Sequence, residues 1–188
     1  MKTVGIVYYS KNGATETIAQ YIAEGAQSEG AKVVAVAIKE EDIHGGRYTN
    51  EASFDQLAQC DAILFGSPTY MGSASAQFKS FMDKSSDAYV ERMWDGKLAA
   101  GFTTGGSING EQQQTLLSFF TLACQHGMVW AGLNSSQFTD QRKLNRTGSS
   151  IGLVASPEND QIHPNDLQTA TYFGQRIARL MTEEKDDD

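Results

Sequence analysis

The chain has 188 residues, 40% of them hydrophobic and 20% charged, with a formal net charge of -8 at pH 7. That length suits one domain with a substantial core. The acidity argues against a nucleic-acid partner, whose phosphates require a basic face, and fits a soluble protein or one that docks on basic partners.

Strand and helix signals then alternate. Residues 4–8 are a short β-rich apolar run, as expected of a strand buried on both faces of a parallel sheet. Residues 14–27 put Ile18, Ala19, Ile22, Ala23 and Ala26 on one helical stripe. Gly30 marks a break, residues 32–38 read as a second strand, and the polar stretch 39–50 reads as a loop punctuated by Gly45 and Gly46. A third strand over 62–66 runs into Ser67-Pro68-Thr69-Tyr70-Met71-Gly72, and the next helix sets Phe78, Phe81 and Met82 on one face. Residues 97–103 form a fourth strand ending in Thr103-Thr104-Gly105-Gly106. Residues 111–125 are a strongly apolar helix with Leu116, Leu117, Phe119, Phe120 and Leu122. A fifth strand starts at Met128, an insertion without periodicity occupies about 133–150, and residues 151–155 resume the sheet. The helix over 165–181 turns Leu167, Ala170, Ile177, Ala178 and Met181 inward, and residues 183–188 read as an acidic tail.

Five β–α units predict one α/β domain over residues 1–182, a doubly wound five-stranded parallel sheet with helices on both faces. Ligands of such sheets sit beyond the carboxyl ends of the strands, where the segments after strands one, three and four converge. No apolar run approaches the ~20 residues of a membrane span, and the N-terminus lacks the pattern of a signal peptide. Cys60 and Cys124 lie in apolar stretches with no metal-ligand spacing and no disulfide framework. Both are expected to be buried free thiols, which points to a reducing, cytoplasmic setting.

Ser10-Lys11-Asn12-Gly13-Ala14-Thr15 joins the first strand directly to a helix. A helix N-terminus offers unpaired N–H groups and the positive end of the dipole, so it binds a phosphate dianion with little help from cations. Ser10 and Thr15 add hydroxyls, Asn12 an amide, and Gly13 close backbone approach. Neither the G-x-G-x-x-G spacing nor a Gly-Lys-Ser/Thr ending is present, which disfavours a dinucleotide site or an ATPase. By itself the loop is consistent with an anion site or with a plain helix cap.

Residues 6–22 resemble the flavodoxin signature at its defining positions: the apolar pair Ile6-Val7, the aromatic Tyr8 or Tyr9, Ser10, Gly13, Thr15, Ala19 and Ile22. That family has strand order 2-1-3-4-5 with FMN at the switch point. Later segments resemble the WrbA-type NAD(P)H:quinone oxidoreductases. They are residues 61–69, 77–83, Gly110-Glu111-Gln112-Gln113 and the run through Cys124-Gln125-His126-Gly127-Met128-Val129, with weaker similarity over 147–180. The resemblance implies FMN as cofactor and NAD(P)H as reductant. Residues 10–15 would hold the phosphate. Pro68, Thr69, Tyr70, Met71 and Gly72 would meet the ribityl chain and ring. Thr103, Thr104, Gly105, Gly106, Ser107 and Asn109 would wrap the other side, their N–H groups facing charge that develops at N1–C2=O; an ordinary turn is the alternative for 103–106.

It further implies that His126 lies beside the flavin site and protonates a quinone oxygen, whereas a histidine satisfied at a helix end is the alternative. Tyr89 falls where the family has a tryptophan reaching a neighbouring subunit's site, and Tyr70 replaces an arginine, so phosphate contacts to NAD(P)H do not transfer there. The expected activity is two-electron quinone reduction by a ping-pong cycle in a homo-oligomer, dimer or tetramer. The alternatives are a flavodoxin electron carrier, which the net charge of -8 favours, and a flavin-bound interaction or sensor protein.

Overall fold

The computed structural model describes residues 1–158 and 161–182, so the acidic tail read at 183–188 lies outside the described residues. β1 (Thr3–Tyr8), α1 (Ala14–Ser28) and β2 (Lys32–Ala37) open the chain. A 3₁₀ turn (Glu40–Asp42) leads into the hairpin β3 (Ile43–His44) and β4 (Arg47–Tyr48), then α2 (Ala52–Ala58). β5 (Ala62–Tyr70), β6 (Ser73–Ala74), α3 (Ala76–Lys84), α4 (Ser86–Val90) and β7 (Leu98–Thr104) follow. α5 (Gln112–Gln125), β8 (Val129–Trp130), β9 (Leu153–Ala155) and α6 (Pro164–Thr182) complete it.

The parallel strands lie in the order β2-β1-β5-β7-β8, with β9 also on β7. Counting β5 as the third strand, this is the 2-1-3-4-5 order expected of flavodoxins. The fifth position is filled twice. Val129 pairs with Leu98 at the start of β7 and Leu153 pairs with Phe102 near its end. The insertion is therefore an excursion out of one strand and back into it.

Alternation along the strands sorts side chains into two cores. Val4, Ile6 and Tyr8 of β1, Ala62 and Leu64 of β5, and Ala100 and Phe102 of β7 face α1 and α6. Val7, Ile63, Phe65 and Ala99 face the other way, onto Phe54 and Leu57 of α2, Phe78 and Phe81 of α3, Trp94, and Leu116 and Phe119 of α5. The second core is aromatic: Phe54 stacks on Phe81 at 4.9 Å between ring centroids, and Phe78 meets Phe119 at 4.9 Å. Each such fully buried ring contributes roughly 2–3 kcal/mol of transfer free energy. On the opposite face α1 and α6 cross closely because each offers a glycine. A Cβ on Gly25 would lie 2.0 Å from the Thr171 carbonyl oxygen, and one on Gly174 1.9 Å from that of Ile22.

Three sequence expectations change. The stretch 39–50, read as a loop, holds a 3₁₀ turn and a hairpin, and α2 follows it without having been foreseen. Seven residues give too little helical periodicity to stand out; Phe54 and Leu57 are held by the core they enter. The third strand does not stop at residue 66 but continues to Tyr70. Cys60 is buried as expected, whereas Cys124 is exposed. Cys124 shares the outer side of α5 with Leu117 and Phe120, which are 43% and 36% exposed, so an apolar sequence context did not mean an inward side chain.

The insertion is tied down by polar contacts. Asn145, at φ 59, donates from Nδ2 to the carbonyls of Ser135 (2.9 Å) and Ser149 (3.0 Å) and accepts the Ser149 N–H at Oδ1 (3.0 Å). Arg146 forks onto the buried Asp166 carboxylate at 2.9 and 3.0 Å, and the Ser156 N–H adds a third bond to it. Bidentate geometry with an extra donor is what makes a buried ion pair tolerable.

Candidate flavin site

β1 hands directly over to the phosphate loop, which is held against β5 by the Tyr9 N–H bond to the Gly66 carbonyl (3.0 Å). Gly13 takes φ 87 and caps α1 with no side-chain hydrogen bond, and its carbonyl accepts the Thr17 N–H at 2.9 Å. The first-turn amides of α1 are thereby left for an external anion. The Ser10 Oγ is buried with no hydrogen-bond partner among the described residues. An orphaned hydroxyl beside uncapped helix amides costs free energy unless an acceptor completes it. A phosphate ester does so, and the FMN phosphate fits this loop on that ground.

Two adjoining cavities share Thr69, Gly105 and Gly106. One, of about 450 Å³, is lined by Ser10, Lys11, Asn12, Ala14, Thr15, Pro68, Thr69, Tyr70, Thr104 and Pro157 among others. The other, of about 490 Å³, adds Met71, Gly72, Ser107, Glu111 and Gln112. Each is within the size range of small-ligand sites. Their common wall is built by strand ends. Thr69 pairs with Ala74 and Tyr70 with Ser73, closing a two-residue hairpin turn at Met71 (φ 47) and Gly72 (φ 76). Glycine takes such a φ freely, but Met71 is strained there and stands fully exposed at the lip. Across the cleft, Gly105 leaves room for the buried Gln112 side chain, whose Nε2 donates to the Ser107 carbonyl. Asn109 lines neither cavity. It donates to the Thr147 carbonyl at 2.9 Å and accepts from Gln113, bracing the flavin-side loop on the insertion.

Thr103 is wholly buried beneath the cleft, and Thr15 joins Thr104 by a hydroxyl pair at 2.8 Å that links the phosphate loop to β7. Gln112, Glu111, Thr115 and Pro157 belong to the site although the sequence reading did not single out their roles. Gln112 and Thr115 are three positions apart, so they share the face of α5 that meets the loops. That spacing was the one available signal.

His126 and Tyr89 are not brought to this cleft. His126 follows the last turn of α5, 14 residues and thus about 21 Å from its first, beside the strand that pairs with the opposite end of β7. Its Nε2 is 3.0 Å from the Ser85 hydroxyl, and its ring lies 4.3 Å from Trp94 and 5.9 Å from Tyr89. The Ser85 hydroxyl proton already goes to the Met82 carbonyl (2.7 Å), so Nε2 must be the protonated nitrogen and Nδ1 a bare acceptor without a partner among the described residues. Burial pushes the imidazole down to about 4. Within its own chain His126 is a neutral helix-end residue with one ring nitrogen left unpartnered among the described residues, rather than a proton donor poised near neutrality.

A 2-1-3-4-5 parallel sheet with an anion loop after its first strand and two glycine-bearing loops across the switch point defines a flavodoxin-like FMN protein. The comparisons agree. The family model described as NADPH-dependent FMN reductase matches residues 1–139. A curated relative, Flavodoxin FldP of Pseudomonas aeruginosa, is 38% identical over 96% of this chain and 97% of its own. An NAD(P)H dehydrogenase (quinone) of Rhodopseudomonas palustris is 34% identical over 95% and 96%. Among solved structures, the flavodoxin, WrbA-like protein of Agrobacterium tumefaciens superposes with TM-score 0.76 at 34% identity, covering 98% of this chain and 100% of that one. The chain belongs to the NADPH-dependent FMN reductase family. It is a flavodoxin-like flavoprotein with FMN as cofactor and NAD(P)H as reductant. Among the described residues no helix is long and apolar enough to cross a membrane.

Proposed function

We propose that this protein is an FMN-dependent NAD(P)H:quinone oxidoreductase, a single cytoplasmic domain over residues 1–182 that reduces quinones by two electrons in a ping-pong cycle. The observation that supports this most directly is the match of residues 1–139 to the NADPH-dependent FMN reductase family, since a nicotinamide-fed flavin is what separates a reductase from a carrier. The quinone dehydrogenase relative, similar over nearly its whole length, supports the same reading.

FMN when bound supplies the redox chemistry, and the chain supplies binding, orientation and electrostatics. Ser10, Asn12, Thr15 and the α1 amides hold the phosphate, with Gly13 shaping the turn, Ala14 giving the first amide and Lys11 at the rim. Pro68, Thr69, Tyr70, Met71 and Gly72 form one wall. Thr104, Gly105, Gly106 and Ser107 form the other, Thr103 and Asn109 supporting it from below and behind. Backbone N–H groups of that second wall stabilise negative charge growing on the ring edge. A role for His126 and for Tyr89, which is 54% exposed, requires a neighbouring subunit's cleft, so the protein is proposed to be a homo-oligomer.

The second reading is a flavodoxin electron carrier, favoured by the net charge of -8 and by the FldP relative. Mixing holoprotein with NAD(P)H separates the two. The reductase bleaches its visible flavin band with NAD(P)H alone and regains colour on adding benzoquinone. Bleaching that demands a separate reductase protein overturns this proposal in favour of the carrier.

A further inference from the structure

Beneath the cleft three threonines from three different elements form one hydrogen-bonded chain. The Thr103 hydroxyl lies 2.6 Å from the Ser67 carbonyl oxygen, the Thr69 hydroxyl 2.8 Å from that of Thr103, and the Thr115 hydroxyl 2.7 Å from that of Thr69. Thr103 and Thr115 are wholly buried, whereas Thr69 is part-exposed and lines both cavities.

Counting protons fixes the direction of this chain. A carbonyl oxygen only accepts, so the single Thr103 proton is spent on Ser67. Thr103 is then an acceptor towards Thr69, and the Thr69 proton is spent on Thr103. Thr69 is in turn an acceptor towards Thr115, which donates to it. Each hydroxyl has one proton and two lone pairs. Thr69 has therefore given its proton downward and filled one lone pair, and the remaining lone pair is all its hydroxyl has left to offer a ligand.

We infer that Thr103, without touching the cofactor, is a positioning residue that makes Thr69 an acceptor-only wall of the flavin cleft, so that Thr69 takes a hydrogen bond from a donor group of bound flavin. This rests on the flavin assignment above. Flavin has donors of two kinds, the N3–H and ribityl hydroxyls present in both oxidation states and the N5–H present only after reduction. With its proton locked away, Thr69 discriminates against an acceptor at that point by leaving two lone pairs opposed.

The test is a double-mutant cycle in Thr103→Val and Thr69→Val, read by FMN dissociation constant and flavin midpoint potential. Thr103→Val releases the Thr69 proton to swing into the cleft, and Thr69→Val removes the acceptor outright. Either single change is expected to weaken oxidised FMN about tenfold if the donor is N3–H or ribityl. If the donor is N5–H, it lowers the midpoint potential by about 30 mV, the two-electron equivalent of tenfold. Thr103→Ser, which keeps the hydroxyl, restores wild-type values, and Thr103→Val adds nothing further in the Thr69→Val background. Additive losses, or wild-type affinity and potential in Thr103→Val, overturn the inference. Should Thr103→Val not fold, wild-type affinity and potential in Thr69→Val do the same. Wild-type protein that binds no FMN would instead sink the flavin assignment itself.

Discussion

Thr15 stands where α1 begins, buried, with its hydroxyl against Thr104 and its amide in the uncapped first turn. Thr15→Glu places a carboxylate where the phosphate is proposed to bind, and is expected to raise the FMN dissociation constant at least a hundredfold while the fold persists. Fluorescence titration of apoprotein with FMN checks it, and retained binding would remove the phosphate from this loop. His126 carries a pH prediction. Its folded value of about 4 lies below the ordinary 6.5, so the unfolded chain binds its proton first as pH falls. Its contribution to stability is complete above pH 6.5 and is lost between 6.5 and 4, about 3 kcal/mol in all. His126→Asn flattens that part of the pH profile of urea unfolding; an unchanged slope would place the acid sensitivity elsewhere. At this scale the proposed phosphate loop could be read as a candidate from the sequence because its six residues are contiguous. The role of Thr115 could not, since its partner Thr69 lies 46 positions away.

α1 and α6 form the tightest element contact of the outer layer, and it depends on two absent side chains. Mid-helix glycine is ordinarily a cost, yet here Gly25 and Gly174 each face a backbone carbonyl of the opposite helix. Gly174→Ala cannot be relieved by a rotamer change, so the helices must separate. Its expected cost is about 1–3 kcal/mol, visible as a lower urea midpoint, and Gly25→Ala behaves alike. The insertion has its own anchor. Asp166→Asn leaves the Arg146 guanidinium half-paired in a buried setting, and about 3 kcal/mol should be lost. Because Asn109 hangs on the Thr147 carbonyl of the same insertion, weaker FMN binding is expected to accompany it. The strands and the long helices were readable from periodicity. The hairpin over 43–48 and the short α2 were not, because each is stabilised by the core it touches rather than by its own pattern.

The chain carries a formal net charge of -8, and its described surface has an apolar margin on the side of the split fifth strand, where Leu117, Phe120 and Val129 are exposed. Sedimentation equilibrium is expected to give a dimer or tetramer, which would let exposed Tyr89 reach another subunit's cleft. A monomer at all concentrations would remove that role and strengthen the carrier reading.

Sequence by itself determined the layer architecture, which follows from local periodicity, and it pointed to a candidate anion loop at a strand–helix junction that needs no distant partner; the strand order came only through the family signature. Tertiary structure decided what contiguity cannot encode. It split the fifth strand around the insertion, turned Cys124 outward and carried His126 to the sheet edge opposite the cleft. It also set Thr115, Thr69 and Thr103 in a row with their protons pointing one way. A hydroxyl's direction depends on which acceptors the fold has already spent, and that count exists only once the three elements have packed.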